Sequence, residues 1–177
     1  ASDDIVNYIV AMLRVQTLLV TGHPEQARLH LSKAMALEIS LFGNNLDSIT
    51  RLSEERLWSG DLAAAEALYG RVLLASGDWR LPTLYFLPPT NSKEAGHLWI
   101  AQIRSFTGMA AIRILQGEYD QAARWALAGE ERFLDFLDLT EHPLYGLFIE
   151  PNTNLYLAHG WNLVMLASAR AGVSGNL

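Results

Sequence analysis

The chain has 177 residues, half of them hydrophobic and 18% charged, a length and apolar content that suit one ordinary domain or a short repeat array and exclude wholesale disorder. Its net charge of −6 argues against a nucleic-acid or anionic-membrane footprint, and the absence of cysteine removes disulfides, thiolate catalysis and cysteine-ligated metals. No run of about 18 uncharged apolar residues is present, so no membrane span is expected.

Over residues 3–20 the apolar side chains Ile5, Ile9, Met12, Leu13, Val15, Leu19 and Val20 recur at three- and four-residue spacing, which predicts an amphipathic helix. Thr21-Gly22-His23-Pro24 stops it, and Pro24 is placed to open a second helix, 24–42, where a missing N–H does no harm. After the turn Gly43-Asn44-Asn45 come a third helix, about 47–58, the break Ser59-Gly60-Asp61, and a fourth, Ala-rich helix ending near 76. Residues 77–91 hold Pro82, Pro88 and Pro89 among aromatic side chains: the prolines exclude a regular helix, and the aromatics are too many for a solvated linker. Helices five and six are expected over 93–116 and 119–139, split at Gly117. A second Pro- and aromatic-rich segment, 141–152, leads to a last helix over about 153–171. Strand signals are weak throughout.

Three breaks share one pattern: Gly22 to Ala27, Gly60 to Ala65 and Gly117 to Ala122, each a Gly, four residues, then Ala. A Gly adopts the left-handed conformation that ends a helix, an acidic residue suits the next N-terminus, and a small Ala lets two helices approach closely. Twelve residues before these alanines stand Val15, Ser53 and Ala110; seven after them stand Ala34, Val72 and Gly129. This resembles the tetratricopeptide repeat, in which helix A ends at a Gly and helix B carries a small residue five positions later. Trp161 to Gly172 matches helix A of a fourth copy lacking its helix B. The spacings of 38, 57 and 55 residues between Gly22, Gly60, Gly117 and Gly172 depart from the family's usual 34, as does the missing proline after helix B. A second similarity points to duplication: Pro82-Thr83-Leu84-Tyr85, Pro89-Thr90-Asn91 and His97-Leu98-Trp99 are echoed 60 to 62 residues later by Pro143-Leu144-Tyr145, Pro151-Asn152-Thr153 and His159-Gly160-Trp161.

The expected fold is therefore all-α: tandem antiparallel hairpins over about 3–42, 46–76 and 93–139 and a final helix over 153–171, in one domain spanning 1–177. The resemblance implies a right-handed superhelix of about seven helices with Pro- and aromatic-rich connecting loops.

Catalytic signatures are missing from the sequence: there is no Gly-rich phosphate loop, no G-x-S-x-G and no H-E-x-x-H. Glu94 and His97 form one E-x-x-H pair, whereas a di-iron carboxylate site needs two such pairs and two further Glu. His97 and His159 each lie two residues before a Trp and read as shared structural contacts. His23, His30 and His142 have no evident ligand partners, and Glu54 with Glu55, Glu130 with Glu131 and Asp135 with Asp138 read as solvated faces. No metal, no cofactor and no enzymatic activity is expected.

In the tetratricopeptide family helix A lines the concave surface, so the resemblance implies a groove of Met12, Gln16, Asp47, Thr50, Glu54, Arg104, Thr107 and Ala111 that takes a peptide or protein. The basic clamp of chaperone-binding members has no match here. Arg56 and Arg113, at a position usually aromatic in the family, are expected to pair with an acid of the next helix. An alternative reading makes Trp79, Tyr85, Phe86, Trp99, Tyr145, Phe148 and Trp161 a pocket for a small apolar ligand, or a subunit interface in a homo-oligomer. The chain is expected to be soluble, cytoplasmic, or periplasmic if a signal peptide preceded Ala1.

Overall fold

A computed structural model describes residues 2–42, 45–76, 92–141 and 153–175, and all regular structure among them is helical. Seven helices follow in order: α1 (Ser2–Val20), α2 (Pro24–Phe42), α3 (Leu46–Trp58), α4 (Leu62–Ser76), α5 (Ser92–Leu115), α6 (Tyr119–Glu141) and α7 (Thr153–Val173). Every expected helix is present. The Pro- and aromatic-rich segments 77–91 and 142–152 lie outside the described residues. The chain divides into two compact units, Ala1–Val72 and Leu73–Leu177, with the boundary inside α4.

The breaks between helices are built alike. Gly22, Gly60 and Gly117 all have φ between +76° and +82°, a region costly to any residue with a Cβ. Around each, the amide of the following residue donates back across the turn: His23 to the Leu18 carbonyl, Asp61 to Arg56 and Glu118 to Arg113, at 2.7 to 2.9 Å. The Gly amide itself donates to the carbonyl three residues earlier, which completes a Schellman turn. The carbonyls of His23, Asp61 and Glu118 then accept from Ala27, Ala65 and Ala122, so one five-residue step closes one helix and opens the next. All three alanines are fully buried, as are Val15, Ser53 and Ala110 on the preceding helices.

The fourth turn falls on Gly175, not on Gly172. Gly175 has φ +71°, and its amide donates to the Gly172 carbonyl three residues earlier, as the glycine amides of the other three turns do. Gly172 lies inside α7, where a Cβ would collide with the Tyr119 ring; it permits a close approach and ends nothing.

In the first unit α1 packs on α2 and α3, and α2 packs on α3. Tyr8, Ala11, Met12 and Ala34 form one apolar cluster with Leu37 and Leu41; Val15, Leu19, Ala27 and Leu31 form another with Leu18 and Leu52. In the second unit α5, α6 and α7 all pack on one another. Trp99, Ile100, Ile103, Phe133, Phe136, Leu155 and Ala158 make its main core, in which Trp99 meets Phe136 edge-on at 6.1 Å.

An added Cβ at Gly22, Gly60 or Gly117 meets no atom within 4 Å, so alanine there pays only for the left-handed backbone. Each of these substitutions is expected to cost about 1 kcal/mol. Gly70→Ala in α4, equally open but at ordinary helical φ, is expected to stabilise by about 0.5–1 kcal/mol. Urea midpoints of the four variants check both signs.

Candidate functional site

A buried polar grouping of the first unit sits where α1, α2 and α3 meet. Glu38, on α2 between Leu37 and Ile39, is only 3% exposed. The N-cap residue of α3, Asn45, makes no side-chain cap bond, and the amides of Asp47 and Ser48 instead donate to the two carboxylate oxygens of Glu38, each at 2.9 Å. A helix N-terminus leaves amides unpaired and carries a partial positive charge, so a carboxylate from α2 satisfies both needs at once. Beside it the Tyr8 hydroxyl of α1 donates to Asp47 Oδ2 at 3.1 Å.

Burial sets the electrostatics of this grouping. It pushes the Glu38 carboxyl up to about 7, against the opposing pull of the hydrogen bonds from Ser48 and Asp47. Burial, then the neighbouring Asp47 and Glu38 carboxylates, also hold the Tyr8 phenol far above its ordinary value. A carboxylic acid titrating near neutrality has the acidity a general base needs, but both Glu38 oxygens are bound to backbone amides and closed to solvent. The arrangement ties three helices together.

Glu55 of α3 forms a second tie. It is fully buried, contrary to the expectation of a solvated face, because Arg28 of α2 reaches it at 2.7 Å and Arg56 Nε lies 3.4 Å from its other oxygen. Arg56 also lies 3.8 Å from Asp61, and Arg113 lies 3.6 Å from Glu118, so each arginine meets the acid in the turn just before the next helix, where one within that helix was expected.

In the second unit the corresponding polar anchor is Asn162, fully buried on α7. Its amide nitrogen donates to the Ala126 carbonyl at 2.7 Å, and its oxygen accepts from Thr107 at 3.2 Å, linking α7 to α6 and α5. Gly129 is small because Asn162 is there: a Cβ at Gly129 would stand 2.7 Å from Asn162 Oδ1. His159 is a structural contact of the same interface, 2.7 Å from Glu130 and stacked on Phe133 at 3.6 Å. Glu130 is therefore not a purely solvated acid. The His97 side chain lies outside the described residues.

The expected groove residues fall in both units. Thr50 is fully buried with its hydroxyl on the Leu46 carbonyl, and Met12, 9% exposed, belongs to the Tyr8 cluster. Gln16, Asp47 and Glu54 are half-buried, Asp47 holding Tyr8 and Glu54 lying 3.3 Å from Arg51. Arg104, Thr107 and Ala111 follow one half-buried face of α5. Of the alternative set, Trp99 is core and Trp161 is 58% exposed, while Trp79, Tyr85, Phe86, Tyr145 and Phe148 lie outside the described residues. Two open depressions follow α1, one lined by Leu13, Gln16, Thr17, Val20 and Thr21, the other by Val10, Leu13, Arg14, Thr17, Leu18 and His30. Among the described residues no three His, Asp or Glu side chains converge as metal ligands would, and no helix is long and apolar enough to cross a membrane. Comparison with protein-family models, with curated proteins and with solved structures returned no match.

Sequence reasoning did not single out Glu38 or Asn162, and it placed Glu55 on a solvated face. Glu38 carried one signal, a lone acid inside the apolar run Leu37 to Phe42. Asn162 carried none, because its partners are 36 and 55 residues away.

With its carboxyl raised from 4.5 to about 7, folded Glu38 holds a proton that the unfolded chain releases. Its contribution to stability is fully present below about pH 4.5, falls as pH rises and is gone above about 7, a change of about 3 kcal/mol. Urea midpoints at pH 5 and pH 8 measure it, and Glu38→Gln flattens the profile. In the second unit, Gly129→Ala is expected to cost about 1–3 kcal/mol by overpacking. In an Asn162→Ala background the same change turns stabilising, because only the helix-propensity gain of alanine remains. A double-mutant cycle reads the reversal.

Proposed function

We propose that the chain is a protein-interaction module made of tetratricopeptide-like hairpins in a right-handed superhelix, taking a peptide or protein on the surface its A helices share. The observation that supports it best is the order of packing repeated in both units: helix A on its own B, B on the next A, and A on the next A. The Schellman turns followed by buried alanines reinforce it, since the same turn stands at Gly22, Gly60 and Gly117. In a repeat array each hairpin contacts its neighbours and the shared face is left to a ligand. On this reading Gln16, Glu54, Arg104 and Ala111 supply polar and small contacts of the kind that peptide recognition uses.

A photo-crosslinking residue placed at Gln16 or Ala111 is expected to capture a protein or peptide in cells, while the same residue at Arg71 of α4 or Glu131 of α6, both exposed, captures none. Capture from the α4 and α6 positions alone would overturn the assignment of the A-helix face. A stoichiometric small molecule retained in native mass spectrometry would replace it with a ligand-binding function.

A further inference from the structure

The start of α3 has two groups able to cap it, and they compete for the same amides. A helix leaves the amides of its first turn without intrahelical partners, and here Asp47 and Ser48 give theirs to the two oxygens of Glu38, which reaches across from α2. Asn45 stands at the N-cap position itself. Asparagine caps well there, because its side-chain oxygen accepts from the second or third helical amide, and in α3 those belong to Asp47 and Ser48. Asn45 makes no such bond, and its backbone, at φ −139° and ψ 30°, lies outside the extended region from which a cap side chain reaches its helix. A rotation about that ψ separates the cap from α2 and the local one.

Charge around Glu38 supplies a trigger. Glu38 is 3% exposed, and among the described residues neither it nor Asp47 forms an ion pair. The titratable and charged groups around it are Tyr8 of α1, whose hydroxyl donates to Asp47 Oδ2, and Asp47 and Arg51 of α3. Arg51 gives its guanidinium to Glu54 at 3.3 Å, and Asp47 Oδ1 is buried without a hydrogen-bond partner. Two neighbouring carboxyls placed in this way resist carrying charge together.

We propose that the N-terminus of α3 is a two-position latch: Glu38 caps it in the closed position, Asn45 takes the same amides in the open one, and ionisation of the neighbouring Glu38 and Asp47 carboxyls drives the exchange. α3 stays helical in both positions, because one cap replaces the other. What the open position loses is the tie between α2 and α3. Burial raises the Glu38 carboxyl to about 7, so the closed position holds a proton that the open one, with Glu38 in water, releases. Closure is therefore favoured most below about pH 4.5 and weakens as pH rises to about 7. The latch lies within the first unit and stands whether or not the proposed function holds.

Amide hydrogen exchange followed by NMR at pH 5 and pH 8, corrected for intrinsic rates, tests it. In the open position one Asn45 oxygen serves two amides, so each exchanges while the other is capped. Protection of Asp47 and Ser48 is expected to fall roughly 50- to 100-fold between the two pH values. At pH 8 Thr50 and Ser53 are expected to stay better protected than either, since α3 remains a helix. Glu38→Gln, which cannot ionise, is expected to abolish the fall. Asn45→Ala is expected to raise the protection of both amides at pH 8 by about fivefold, because the open position loses its cap, and Asn45→Ser to leave it within about twofold. Protection that is constant from pH 5 to pH 8, a fall that survives in Glu38→Gln, or Thr50 and Ser53 exchanging together with Asp47 and Ser48 would each overturn the latch. So would an Asn45→Ala chain whose two amides exchange as fast as before or faster.

Discussion

The left-handed glycine at the end of each A helix is the constraint on which the rest of the structure depends. It reverses the chain within three residues, and the Schellman bonds around it set where the next helix begins. Five positions after the glycine, in the first turn of the next helix, stands an alanine with no exposed surface: Ala27, Ala65 and Ala122. The local turn thus sets where the next helix starts, and Gly175 after α7 has the same left-handed backbone.

Hairpins made this way still need a register against the next helix, and apolar contacts are too permissive to supply it. Buried polar side chains do so in both units. Glu38 of α2 holds the first amides of α3, Arg28 of α2 holds Glu55 of α3, and Asn162 of α7 holds the Ala126 carbonyl of α6. A buried polar group left without its partner costs about 1–3 kcal/mol, so a slipped register is penalised where an apolar face would tolerate it. Near-neutral titration of Glu38 follows from the same burial: the capping carboxylate acquires a proton affinity its solvated form would lack.

The apolar side chains of α1 and α7 divide between core and surface. Ile5, Ile9 and Leu13 on α1 and Leu157, Trp161 and Val164 on α7 are apolar side chains that stay 45% to 58% exposed.

The seven helices, the three Gly-to-Ala turns and the pairing of Arg56 and Arg113 with an acid near the next helix were all legible in the sequence. Each depends on residues within about a dozen positions of one another, where backbone geometry converts spacing directly into contact. The roles of Glu38, Glu55 and Asn162 were not legible, nor was the choice of Gly175 over Gly172 or the split of the apolar residues of α1 between core and surface. These depend on which helix lies beside which: Glu54 and Glu55 are chemically identical neighbours, and only the arrival of Arg28 from another helix makes the second an interior residue. Gly172 and Gly175 are equally able to end a helix, and the Tyr119 ring packed on the first leaves the turn to the second. Sequence determined the elements and their turns because those are short-range and backbone-driven; tertiary structure alone decided burial, because burial is a property of neighbours distant in the chain.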